Sequence, residues 1–229
     1  MKLSVVIPTL DEAERIETAI RGAFDAPADG NGTPVEVIVV DGGSRDATRE
    51  RAAAAGARVL ECERGRARQL AAGVRASAGD AVLLLHADTR LPRGWRAAVV
   101  EALRDERVVG GAFRLRFDED APVFRLIEFG ARLRARLWRL PYGDQALFVR
   151  RAALDAIGGI PDVRVMEDVD LVQRIKRTGR LALLDAPVIT SARRYRAGGP
   201  LRTMFRHWFV AAAWTLGVDR ERIAFWAGR

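Results

Sequence analysis

The sequence predicts a single-domain α/β protein built on a doubly wound, mostly parallel mixed sheet flanked by helices, and three observations carry that expectation. Short apolar runs rich in Val, Ile and Leu recur without inside-outside alternation, as strands buried on both faces do. Stretches of Ala, Arg and Glu lie between them, so strand and helix alternate with right-handed crossovers. At 229 residues the chain can bury one substantial core, and no Gly/Ser or Pro linker divides it.

Taken in order, Leu3 to Ile7 reads as the first strand and Asp11 to Phe24 as the helix after it. Val35 to Val40 is the second strand, followed by a helix from Ser44 to Ala55 with Ser44 as its N-cap. Arg58 to Leu60, a helix from Arg66 to Ala76 and a strand from Ala81 to Leu85 complete the regular part. Spacing is looser beyond it. Gly110 to Phe117 and Ala146 to Val149 read as strands, Val169 to Thr178 as a helix and Leu181 to Leu184 as a last strand.

Composition narrows the function classes. A hydrophobic fraction of 49% and a charged fraction of 30% are globular values, with no repeat or low-complexity tract. Cys62 is the only cysteine, so no internal disulfide forms and nothing signals an oxidising compartment. Only five residues separate Lys2 from Pro8, too few for a secretory apolar segment, and a cytoplasmic location is expected. The net charge of +8 is almost entirely arginine, since Lys2 and Lys176 are the only lysines. Such a balance favours anionic partners: phosphorylated substrates, nucleic acid or an anionic membrane face.

Three polar segments interrupt the pattern where open parallel sheets bind ligands, at the carboxyl ends of strands. VIPTLDEAERI, residues 6 to 16, runs from a strand into an acidic turn that also suits a helix N-terminus. VIVVDGGSRDAT, residues 37 to 48, ends a strand on Asp41 beside glycines that permit close backbone approach, placing a carboxylate to accept the N–H of a base. LLLHADTRLP, residues 83 to 92, ends a strand on His86 and Asp88, two metal-ligand types one residue apart. No GxGxxG or P-loop opens a helix, which excludes the dinucleotide and Walker fingerprints.

These segments, in this order and spacing, resemble the family 2 glycosyltransferases of the GT-A fold. The family's Pro-Thr or Pro-Ala pair and following acid match Pro8, Thr9 and Glu12, and its V-D-(DG)-x-S-x-D-x-(ST) segment matches Asp41, Gly42, Gly43, Ser44, Asp46 and Thr48. Its D-x-D metal motif matches His86, Ala87 and Asp88, with His in the first acidic position, and its E-D segment at a helix start matches Glu167 and Asp168. Among family members the chain is most similar to small bacterial ones associated with arsenosugar-type gene clusters. The resemblance implies a metal-dependent inverting transfer of a sugar from a nucleotide diphosphate sugar to a small or lipid-linked acceptor. Residues 1–90 then form a nucleotide-binding half and 91–229 an acceptor half with a closing loop and a C-terminal helix.

Roles follow residue by residue. Asp88 and His86 are the implied ligands of Mn²⁺ or Mg²⁺, Asp88 the firmer because hard ions prefer oxygen. Asp168 is the implied base, beside Glu167 on the substrate side. Pro8, Thr9, Glu12, Asp41, Gly43 and Ala87 fall to the donor. RGRARQLAAG, residues 64 to 73, resembles the donor-site loop and adds Arg66 and Gln69. YGDQALFVRR, residues 142 to 151, places Asp144 and Gln145 beside the donor sugar or acceptor. RRYRAGGPLRTM, residues 193 to 204, reads as a flexible closing loop whose Arg196, then Arg202, meets the diphosphate.

The chain lacks the Q-x-x-R-W motif of processive polysaccharide synthases and any span of about twenty apolar residues, so a single transfer is expected. Residues 122–140 form a basic amphipathic pattern and 207–218 a short apolar run, each suited to an anionic membrane surface or to a homodimer contact. Two rival functions stand beside the transferase. A sugar-phosphate nucleotidyltransferase would open with a glycine-rich G-x-G-T-R loop, which VIPTLDEAER lacks, and a noncatalytic nucleic-acid module would leave Asp41, Asp88 and Asp168 without a purpose. No nucleic acid is expected as a partner.

Overall fold

The computed structural model describes residues 1–25, 32–163, 165–215 and 217–226. Its first strands are β1 (Leu3–Thr9), β2 (Val35–Asp41), β3 (Arg58–Glu61) and β4 (Ala81–Leu84), with α1 (Ile16–Phe24), α2 (Thr48–Ala54) and α3 (Arg66–Ala76) between them. A two-residue strand β5 (Thr89–Arg90), α4 (Trp95–Ala102), β6 (Val108–Phe117), α5 (Pro122–Trp138) and a 3₁₀ turn (Gly143–Gln145) follow. The chain continues through β7 (Leu147–Arg150), α6 (Arg151–Ala156), α7 (Glu167–Ile175), β8 (Arg180–Thr190), α8 (Arg193–Gly198), α9 (Pro200–Thr215) and α10 (Arg220–Trp226).

All eight strands join one sheet in the order β3-β2-β1-β4-β7-β6-β8-β5. The first four are parallel, β7 runs antiparallel to both β4 and β6, and β6 and β8 are parallel. The chain moves outward from β1 to β2 and β3, then crosses back to place β4 on the other side of β1. That reversal opens a crevice beyond the carboxyl ends of β1 and β4, where doubly wound sheets hold ligands.

Each face of the sheet carries a core, which is why the strands read as unbroken apolar runs. Val5 and Ile7 pack with Ile16 and Ile20 of α1, Trp95 of α4, and Phe113 and Phe148. Val6, Ile38 and Val40 pack on the opposite face with Leu70 and Val74 of α3 and Leu171 and Val172 of α7. Burying one such side chain is worth about 1.5–3 kcal/mol. Helix α3 comes unusually near the sheet because Gly73 lies on it: a Cβ there would overlap Val6 Cγ1. The close approach is what brings the start of α3 to the ends of β1 and β2.

Several elements differ from the expectation. The helix expected from Asp11 starts at Ile16, and Asp11 takes a left-handed φ of 53°. The N–H groups of Asp11, Glu12 and Ala13 donate instead to Ser44 Oγ, Thr48 Oγ1 and Asp46 Oδ2, so the segment is held by the second loop without becoming helical. Ser44 is consequently not an N-cap. Helix α2 begins at Thr48, whose N–H donates to Asp46 Oδ1 at 3.0 Å. The strand expected to end at Leu184 continues as β8 to Thr190, passing Pro187 at a register shift opposite Phe113 and Arg114, where a missing ladder N–H is tolerated. The flexible loop expected at 193 to 204 is α8, a turn at Gly199 with φ 77°, and the start of α9. The apolar run 207–218 lies largely in α9, while Leu216 is outside the described residues.

Candidate active site

The loop after β2 is organised by one carboxylate. Asp41 is fully buried: its Oδ2 accepts the N–H of Gly43 at 2.9 Å and of Ser44 at 2.8 Å, and its Oδ1 accepts the Ser44 hydroxyl. Gln69 of α3 donates its amide to Thr9 O and Val40 O, both at 2.8 Å, fastening the ends of β1 and β2 together. Pro8, Thr9 and Gly43 thus stand at the crevice rim on a rigid base, with Ala87 buried at the end of the neighbouring strand segment.

Beyond β4 the chain enters a cavity of about 690 Å³ whose walls include Arg66, His86, Asp88, Tyr142, Asp144 and Asp168. Residues from four parts of the sequence therefore meet where two opposite strand directions adjoin. Asp168 lies in the first turn of α7, its Oδ1 accepting the Val169 N–H at 2.8 Å and its Oδ2 the Gly143 N–H at 2.7 Å. Gly143 lets these side chains close in, since a Cβ would lie 2.5 Å from Arg66 Nη2, 3.2 Å from His86 Nε2 and 3.3 Å from Asp168 Oδ2 and would displace at least Arg66. Met166, immediately before α7, takes a left-handed φ of 61°, a strained conformation that turns the Glu167-Asp168 pair into the cavity.

Charges alternate through the site. Arg66 Nη2 contacts His86 Nε2, and Arg66 Nε lies 2.8 Å from Glu167 Oε1, an ion pair by proximity whose N–H is not aimed at the oxygen. Arg193 of α8 pairs with Glu12 Oε1 and stands 3.9 Å from Asp88 Oδ2. Burial pushes the Glu12 carboxyl up from its ordinary value, with Arg193 offsetting part of the shift and Asp88 adding to it. Burial likewise pushes up Asp144, partly offset by Arg134 and reinforced by Asp168. Arg134 lies over the Tyr142 ring, 3.4 Å from its centroid, and so fixes the wall beside Asp144.

The donor set fits a divalent cation shared with a ligand. Asp88 offers an almost enclosed carboxylate already beside a guanidinium, and His86 lines the same cavity. Among the described residues no group of three or more His, Cys, Asp or Glu forms a complete metal cage. Remaining coordination would come from ligand oxygens and water, the usual arrangement for Mg²⁺-type ions at phosphates.

The Glycosyl transferase family 2 model matches residues 4–160, more than half of the chain. The chain belongs to glycosyl transferase family 2. Solved structures agree on the fold. Glucosyl-3-phosphoglycerate synthase from Mycobacterium tuberculosis, crystallised with phosphoglyceric acid, matches with a TM-score of 0.68 and 22% identity over 95% of this chain and 81% of that one. A complex of the same synthase with Mn²⁺, UDP-glucose and phosphoglyceric acid matches with a TM-score of 0.68 and 23% identity, covering 95% and 80%. TarS from S. aureus matches with a TM-score of 0.65 and 17% identity, covering 83% of this chain but 37% of that one. Among curated protein sequences none matches. The fold is that of the GT-A glycosyltransferases, and the rival nucleotidyltransferase and nucleic-acid readings give way to a glycosyltransferase.

In this glycosyltransferase the cavity gathers His86, Asp88, Asp144, Asp168, Glu167 and Arg66, while Pro8, Thr9, Glu12, Asp41, Gly43 and Ala87 stand outside its wall. Two other expected residues face elsewhere. Gln69 serves the backbone of β1 and β2, and Gln145 donates to Phe113 O at 3.0 Å while its Oε1 accepts from Arg134 and the Tyr142 N–H. Neither lines the cavity. Arg196 is also turned away, its Nε 2.8 Å from Glu119 Oε1, and Arg202 is exposed on α9 outside the cavity wall. Of the arginines from 193 to 206, those that line the cavity are Arg194 and Arg206, with Arg193 between Glu12 and Asp88. Gly143 and Tyr142 were the other omissions; only the Tyr-Gly pair before Asp144 hinted at a tight turn.

Proposed function

We propose that this enzyme is a metal-dependent inverting glycosyltransferase that moves a sugar from a nucleotide diphosphate sugar to the hydroxyl of a small or lipid-linked acceptor in one displacement. One observation carries the reading: the Asp168 carboxylate, held by the Gly143 N–H, shares a single cavity with Asp88 and His86. A base and a charge-stabilising site belong on opposite sides of the anomeric carbon in such a reaction. The acceptor oxygen attacks that carbon, its proton passes to Asp168, and the bond to the diphosphate oxygen breaks, releasing a nucleoside diphosphate.

Asp88, with His86 beside it, would hold the Mn²⁺ or Mg²⁺, whose charge stabilises the departing diphosphate. Glu12 and the rim formed by Pro8, Thr9, Gly43 and Ala87 are assigned to the nucleoside, with Arg66 near the diphosphate; Asp41, buried with both oxygens engaged by its own loop, shapes that rim from beneath and does not reach a base directly. Arg194 and Arg206 are better placed for anionic groups than Arg196 or Arg202, because they line the cavity. Asp144 and Glu167 face the transferred sugar or acceptor. The M. tuberculosis synthase complexes with UDP-glucose, Mn²⁺ and phosphoglyceric acid support a uridine donor and a small anionic acceptor as the first compounds to try.

The test is a thermal-shift screen of nucleotide sugars with and without Mn²⁺, since a ligand that binds only the folded protein raises its melting temperature. A donor should stabilise the protein in a metal-dependent way. Stabilisation by no nucleotide sugar under either condition would overturn the reading.

A further inference from the structure

Helix α5 is apolar on two opposite sides. Phe124, Ile127, Ala131 and Ala135 face the core, while Leu126, Phe129, Leu133 and Leu137 form a second stripe about half a turn away that is open to solvent. Phe129 is 63% exposed and Leu137 64%. An ordinary surface helix has one apolar side.

The outer stripe continues onto the next helices. Trp208 of α9 lies against Gly130 of α5, 3.6 Å from where a Cβ would stand, and its ring meets Phe205. Phe209 meets Trp226 of α10, where Phe225 is 80% exposed. The result is one exposed face of Leu, Phe and Trp spread over three helices, the kind of contiguous patch that marks an interaction surface. Arg132, Arg136 and Arg139 run along one edge of the stripe, with the carboxylate of Asp185 near the first two, at 3.7 and 3.4 Å.

We infer that this face docks on an anionic lipid surface. Exposed tryptophans beside arginines are the composition of interfacial helices, whose rings settle at head-group level while the cations meet lipid phosphates. Charge complementarity favours this occupant over a second copy: the arginine edge matches lipid phosphates, whereas a second copy carries the same net charge of +8. Among the described residues no helix is long and apolar enough to cross a membrane, so the contact is peripheral. The same helix joins this face to the cavity. Thr203, Arg206 and Val210 on one side of α9 line it, while Leu201, Phe205 and Trp208 on the other side are exposed, so docking sets the cavity wall beside the head groups. The inference stands without the sugar-transfer reading, because its test contains no donor.

The full chain is centrifuged with phosphatidylcholine vesicles, with and without roughly a third phosphatidylglycerol, at low and high salt. It should pellet only with the anionic vesicles, and less as salt rises. Phe129→Ser with Leu133→Ser and Leu137→Ser, and separately Arg132→Glu with Arg136→Glu and Arg139→Glu, should each weaken binding about tenfold or more with circular dichroism unchanged. Should either variant misfold, brominated lipid must quench tryptophan fluorescence in the unmodified protein. Wild type remaining in the supernatant at low salt, or no such quenching, overturns the inference. A dimer in solution that the serine variant dissociates assigns the face to a second copy and overturns it equally.

Discussion

The backbone N–H of Gly143 donates to Asp168 Oδ2 at 2.7 Å, and this one bond joins the 3₁₀ turn ahead of β7 to the first turn of α7. It orients a carboxylate and leaves no room around the donor. Gly143→Ala should therefore reposition Arg66, His86 and Asp168 together, because its methyl would sit 2.5 Å from Arg66 Nη2. The long arginine can swing aside, so the fold survives. Expected is a fall in transfer of about a hundredfold, the scale of a small misplacement of reacting groups, with little change in melting temperature. Paired turnover and melting measurements check it; normal turnover would mean the bond does not position Asp168.

Asp168→Asn retains an oxygen for one of the two N–H donors but cannot take up a proton at neutral pH. Donor affinity should hold while transfer slows by about a hundredfold or more. Isothermal titration with donor, set beside single-turnover rates, separates the two. Near-normal turnover would move the base elsewhere, with Glu167→Gln as the next variant.

Much of this arrangement was legible in the sequence, and the failures share a cause. The runs at β1, β2 and β4 announced strands because both faces of those strands are buried, and His86 and Asp88 stood out as polar side chains just past the end of such a run. What local pattern could not show was a partner far along the chain. Asp11 to Arg15 read as helix because acids suit a first turn, yet the N–H groups of Asp11, Glu12 and Ala13 are taken by side chains over thirty residues away. Gln69 and Gln145 read as ligand contacts because their segments resemble the family's site loops, yet each finds a backbone carbonyl on a distant strand. Choosing among the arginines of 193 to 206 required helical phase. Tyr195 packs on Phe117, which turns Arg196 out to Glu119 and leaves Arg194 at the cavity, and a loop has no phase to consult.

Asp88→Ala should abolish any metal-dependent rise in melting temperature with donor, since it removes the oxygen ligand a hard cation needs. His86→Ala should reduce the rise only in part, because its Nε2 is already engaged by Arg66. Equal metal dependence in Asp88→Ala and wild type across a Mn²⁺ titration would remove Asp88 from the metal site.

Arg193 supplies positive charge between Glu12 and Asp88, the position a divalent cation beside Asp88 would also serve. Arg193→Ala should lower the melting temperature in the absence of metal, because two largely buried carboxylates lose their shared cation. Mn²⁺ alone should then raise the melting temperature more in the variant than in wild type. An identical Mn²⁺ response in the two proteins would show that arginine and metal do not compete.

Asp144 carries the pH prediction. Burial raises its carboxyl above the ordinary aspartate value, Arg134 offsets part of this, and Asp168 adds to it. A raised carboxyl pKa means that the folded state binds the proton more tightly than the unfolded state does. Stability from this group is thus complete below the ordinary aspartate range and is lost as pH rises through the elevated folded value. At neutral pH the folded state therefore bears a cost at Asp144, consistent with its Oδ1 having no hydrogen-bond partner. Asp144→Asn should raise the melting temperature at pH 7, and the gain should vanish in acid, where both side chains are neutral. The variant's profile should be flatter than that of wild type but not flat, because Glu12 is raised as well and has the same sign. Transfer should fall if Asp144 touches the sugar or acceptor, which is the trade expected of a strained site residue. Melting curves from pH 4 to 8 decide the matter, and a variant less stable than wild type at pH 7 would mean that attraction to Arg134 outweighs the cost of burial.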